Sequence, residues 1–187
     1  MQNVKVFFKI VTPAILCAFL IVITKIPIEY YPLSFGFVLG ILNWNVHKYN
    51  SYLGTVLSII ASYTSFFIGY FSFSIITEIL KPLFSEDKSI LIAMTVSPFI
   101  IAPSVAFLLY KFIFNFPEKK VTLIVIVSSI FLLVFISLIH IWNSETIQLE
   151  YEFNEILNSY TLWQIVVLLT IQLIIYQKEI WNKQKLE

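Results

Sequence analysis

The sequence predicts an all-α, polytopic membrane helix bundle with six transmembrane helices and both the N-terminus and the C-terminus cytoplasmic. Three observations lead there. Of 187 residues, 59% are hydrophobic and only 12% charged, with a mean hydropathy of +0.88, whereas soluble domains average about 45–50% apolar and about 25% charged. Apolar runs recur six times, at residues 7–25, 31–47, 52–80, 90–116, 121–142 and 160–177. Each is close to the roughly 17–25 residues that a helix needs to cross a bilayer. Lysine placement then selects the number of crossings. With six spans, Lys5, Lys9, Lys48, Lys111, Lys119, Lys120, Lys178, Lys183 and Lys185 lie inside, leaving only Lys25, Lys81 and Lys88 outside. Dropping the short second run leaves four lysines inside and eight outside, against the positive-inside rule. Residues 1–187 are expected to form a single domain in the bacterial cytoplasmic membrane, with the lipid bilayer as its first partner.

The first run reads as a retained helix and not a cleaved signal, because no small-residue cleavage site precedes Lys25. Ala14 and Ala18, four apart, give it a small-residue face. In the second run, Gly36-Phe37-Val38-Leu39-Gly40 is a literal GxxxG, and the same face is expected to continue through Asn43 to His47. The third carries Thr55, Ser58, Ser62, Ser65, Gly69 and Ser72 at 3-4-3-4-3 spacing, a heptad-period stripe on one helix face. Helices in lipid gain little from the hydrophobic effect, so small side chains that let backbones approach closely are what hold them together. These faces are expected to pack inside the chain or against another membrane protein.

The fourth run is built differently. Pro98 and Pro103 each lack an amide hydrogen and crowd the carbonyl four residues back. The carbonyls of Met94 and Phe99 should therefore lose their partners, with the hydroxyls of Thr95, Ser97 and Ser104 placed to compensate. Such freed groups make either a simple kink or the wall of a polar cavity, to which Glu78, Gln164 and Gln172 are the natural additions. Glu78 also stands three residues before Lys81, the spacing of a helical ion pair. In the fifth run, Ser128, Ser129 and Ser137 are expected to bond their own backbone. In the sixth, Gln164 and Gln172, with Thr170 between them, are expected to reach neighbouring helices through their amides. The loop at 143–158 carries Glu145, Glu150, Glu152 and Glu155 and no lysine. Tyr151 and Phe153 alternate with its glutamates, so this acidic outer loop is read as a solvated lip or a recognition element.

Several function classes are disfavoured. A net charge of +1 with no arginine offers nothing to neutralise nucleic-acid phosphates. The single cysteine, Cys17, leaves no intrachain disulfide. His47 and His140 fall at opposite membrane faces and cannot share a metal or a haem. Asp87 is the lone aspartate, and no HExxH, CxxC or glycine-rich phosphate loop is present. No catalytic residue, cofactor or metal is expected, and the chain is read as a non-enzyme. The leading expectation is a membrane protein acting through helix-face and loop contacts with another membrane component, as accessory, immunity or exclusion factors do. The alternative is a small carrier, or the substrate-capturing subunit of one, that binds a small-molecule solute. Six spans with both ends inside and an alanine pair in the first helix look similar in outline to the substrate-binding subunits of energy-coupling vitamin transporters. That likeness is architectural and carries no ligand residue with it.

Overall fold

The computed structural model describes residues 2–117, 119–143 and 159–181. They are helical almost throughout: α1 (Gln2–Thr24), α2 (Tyr31–Leu42), α3 (Ser51–Leu80), α4 (Glu86–Val96), α5 (Ala102–Ile113), α6 (Lys119–Asn143), α7 (Ser159–Ile175) and the short α8 (Gln177–Trp181). A 3-10 turn, Ile28–Tyr30, leads into α2, and a π turn, Ser97–Ile101, joins α4 to α5. Four helical stretches are long and apolar enough to cross a membrane: Val4–Thr24, Ser51–Leu80, Glu86–Ile113 and Lys119–Ile139. They are compatible with a membrane protein. The other two apolar helices, Ile28–Leu42 and Tyr160–Ile175, are shorter. At about 1.5 Å per residue they fall short of the roughly 30 Å hydrocarbon core.

α2 and α3 pack antiparallel: Gly36 lies against Ser58 and Ile59, and Gly40 against Thr55, so the two helices run in opposite directions. In the same way Lys9 of α1 pairs with Glu179 of α8 at 3.1 Å, and Cys17 meets Gln164 of α7 further along. The turn after α2 meets the end of α5, where Lys48 N–H donates to the Ile113 carbonyl at 2.9 Å. One end of the bundle thus gathers Lys9, Asn43, Lys48, Phe114 and Glu179, and the other gathers residues 27–32 and the start of α7. Between them lies a core of Cys17, Phe35, Leu39, Tyr110, Phe114, Leu133, Val167, Leu168 and Ile171, all essentially without solvent contact. Large apolar side chains such as Phe7, Phe19, Phe131 and Phe135 stand exposed on the outside, as lipid-facing residues would.

Local structure departs from the sequence reading in three places. The GxxxG face does not continue to His47: α2 ends at Leu42, and Asn43 turns its amide back to the Leu39 carbonyl at 2.9 Å. That side chain competes with the backbone for the helix's own acceptor. His47 instead folds onto Gly54, where an added Cβ would come within 2.3 Å of the imidazole, and stacks on Phe114 at 4.9 Å. The two prolines come with a widened turn that the sequence reading did not anticipate. Set five residues apart, they are absorbed by the π turn, in which Ala102 N–H donates to the Ser97 carbonyl; the widened turn relieves the clash between each proline ring and the carbonyl before it. Thr95 and Ser104 hydroxyls donate to Leu91 and Ile100, at 3.1 and 2.6 Å, and not to the Met94 and Phe99 carbonyls. Finally, Ser129 does not satisfy itself on its own helix: its hydroxyl is buried without a partner among the described residues.

Candidate ligand cavity

The small residues of α3 are occupied within the chain. Thr55, Ser58, Ser62, Ser65 and Gly69 are buried and Ser72 is half-buried. α2 covers the first half of the stripe, where a Cβ on Gly36 would lie 2.5 Å from the Ile59 Cα, and one on Gly40 would lie 2.7 Å from the Thr55 Cα. α5 and the π turn cover the second half, with the Gly69 position 2.8 Å from the Ala102 Cβ. Thr55, Ser58 and Ser62 donate to the carbonyls of Ser51, Gly54 and Ser58, at 3.0, 2.9 and 3.0 Å, so a polar stripe stays satisfied without water. The fully buried Tyr110 adds a cross-link from α5: its hydroxyl donates to the Ser58 carbonyl at 2.8 Å and lies 2.6 Å from the Ser62 hydroxyl. On α1, Ala14 is buried and Ala18 half-buried.

Beside the second half of the stripe, between α2, α3, the π turn and α7, lies open space. A cavity of about 500 Å³ opens at the end formed by residues 27–32 and the start of α7. α2 and the turn before it supply Ile28, Glu29, Tyr31, Pro32 and Phe35. α3 supplies Phe66, Phe67, Tyr70 and Phe73, with Ser62 and Gly69 at its depth. Met94, Pro98 and Ala102 come from the end of α4, the π turn and the start of α5, and Tyr160, Trp163 and Gln164 from the first turns of α7. Eight of these seventeen residues are aromatic, and the volume falls within the roughly 300–1,000 Å³ typical of small-molecule sites. Polar groups are few. Gln164, itself buried, accepts the Cys17 S–H at 3.0 Å. The Trp163 indole N–H is buried and without a partner among the described residues. Glu29, exposed in the 3-10 turn, is the one charged residue on the lining.

The polar cavity expected from the sequence is therefore only partly assembled. Pro98 and Gln164 line it. Ser97 sits behind, fully buried, 3.0 Å from the Ser72 hydroxyl. Pro103 is buried at the start of α5, whereas Ser104 is exposed on the outer face of that helix. Glu78 is exposed at the end of α3 and paired with Lys81, which holds that ammonium above its ordinary range. Gln172 is completely buried, and neither of its amide atoms has a partner among the described residues. The outer-loop residues Glu145, Glu150, Tyr151, Glu152, Phe153 and Glu155 lie outside the described residues. Asn43, placed on the GxxxG face, accepts the Tyr176 hydroxyl at 3.2 Å and so joins α2 to the end of α7.

The aromatic lining is what the sequence reading missed. One signal was present: Phe66, Phe67, Tyr70 and Phe73 recur at three- and four-residue spacing on α3, each one position or so beyond the small stripe. Among the described residues no three of His, Cys, Asp and Glu come together in a way that could hold a metal ion. The arrangement can enclose an apolar, ring-bearing body. No family model, curated protein or solved structure matches this chain.

Proposed function

We propose that the chain is a multi-pass protein of the bacterial cytoplasmic membrane that captures a small, largely apolar solute, as a carrier or as the substrate-capturing subunit of one. The observation that carries this reading is the cavity of about 500 Å³ between α2, α3, the π turn and α7. The small-residue faces that would have served a partner protein are instead covered by helices of the same chain. The reading is non-enzymatic, with the solute bound and released unchanged.

Six crossings with both termini cytoplasmic complete the proposal. α2 and α7 are short, yet each has residues at both ends of the bundle: Pro32 and Trp163 at the cavity, Asn43 and Tyr176 at the far end. Shielded on both sides by longer helices, a short segment need not match the full hydrocarbon thickness itself. The far end also carries Lys9, Lys48 and Lys111, as a cytoplasmic face requires. On this arrangement the cavity opens toward the outer side.

The test is saturable binding of a panel of small aromatic and aliphatic solutes to the protein in lipid nanodiscs, with Met94→Trp as the blocked control. Tryptophan at that half-buried lining position narrows the cavity, so binding should fall while the folded fraction stays unchanged. Absence of saturable binding across the panel would overturn the capture reading. Reporter fusions at residues 49 and 187 should both report the cytoplasm, and an external signal from either would remove the six-span arrangement.

A further inference from the structure

We infer that the captured solute is an organic cation: an ammonium or similar positive centre carried on an aromatic or apolar body. This rests on the capture reading and adds the charge of the ligand. Two features of the cavity point the same way. Aromatic rings present a negative face, and a cation within about 6 Å of a ring centroid is attracted to it. Phe66, Phe67, Tyr70 and Phe73 supply four such rings from one helix, and Tyr31 and Trp163 face the same space from two others. At the mouth stands Glu29, the single charged lining residue, and no lysine is paired with it among the described residues. A carboxylate there disfavours anions and offers a neutral solute no more than a hydrogen-bond acceptor. A cation gains charge attraction from both the carboxylate and the rings, the carboxylate guiding it in and the rings holding it after its water is lost.

The discriminating probes are phenyltrimethylammonium, its uncharged isostere tert-butylbenzene, and benzenesulfonate, titrated against the full chain in nanodiscs. The cation should bind about tenfold more tightly than the isostere, and benzenesulfonate most weakly. Glu29→Gln changes an exposed side chain and leaves the core intact. It should weaken the cation about three- to fivefold without altering the isostere. Tyr70→Leu should narrow the gap between cation and isostere in the same direction. If the isostere binds as well as the cation, and Glu29→Gln changes neither, the charge assignment is overturned while solute capture stands. If none of the three binds and the wider solute panel is also silent, the capture reading falls and takes this inference with it.

Discussion

The same two helices, α2 and α3, are packed in opposite ways at their two ends. Along one half, Gly36 and Gly40 meet Thr55, Ser58 and Ile59 so closely that a single Cβ would strike backbone at 2.5–2.7 Å. Along the other, Tyr31, Pro32 and Phe35 face Phe66, Phe67 and Tyr70 across open space. Hydrogen atoms in place of side chains let the two helices meet at the glycines, and rings line the space beyond. Tyr110 sits at the boundary, bonding to Ser58 in the seam and Ser62 at the cavity's depth.

The comparison can be broken most severely at the seam. Gly36→Leu places a branched side chain where its first carbon already meets the Ile59 backbone, which cannot yield as a flexible side chain could. The expected loss is about 3 kcal/mol or more, read as a collapse of the folded fraction in a detergent unfolding titration. Wild-type stability in this variant would mean that α2 does not pack on α3 as described. Tyr110→Phe removes the hydroxyl and leaves the ring, and should cost about 1 kcal/mol, measured in the same titration. A null effect would detach the boundary from both halves.

Gln172→Met sharpens the contrast from elsewhere in the core. Both amide atoms are buried without partners among the described residues, so removing them at similar volume should raise stability by about 1 kcal/mol. A loss instead would point to buried water bridging the amide. The smallest effect belongs to Glu179→Gln at the far end. Its pair with Lys9 is about half exposed, and such contacts are worth at most about 1 kcal/mol and often nothing measurable; a larger shift in unfolding would assign α8 a structural role in closing the bundle.

The helices themselves were legible in the sequence because apolar length is a local property. The GxxxG of α2 and the stripe of α3 were legible for the same reason, since spacing along one helix determines what shares a face. The π turn was half legible. Two prolines five apart announce a disturbed helix, but whether the disturbance becomes a kink or a widened turn depends on what packs against it, here Gly69 against Ala102. Glu78, Ser104 and Gln172 do not line this cavity, because a polar side chain in an apolar run marks depth without marking direction. Ser104 turns outward, Glu78 pairs at the helix end, and Gln172 points into the core.

Sequence alone settled that this chain is helical and apolar enough to be compatible with a membrane, and which residues could form close seams. Those conclusions follow from hydropathy and periodicity, which no neighbour can alter. Tertiary structure decided where the seams find their mates and where the helices part. The cavity draws its lining from segments as far apart as Ile28 and Gln164, and a ring on an apolar helix is the same letter whether it faces lipid or a ligand. Only the packing of the remaining helices distinguishes the two.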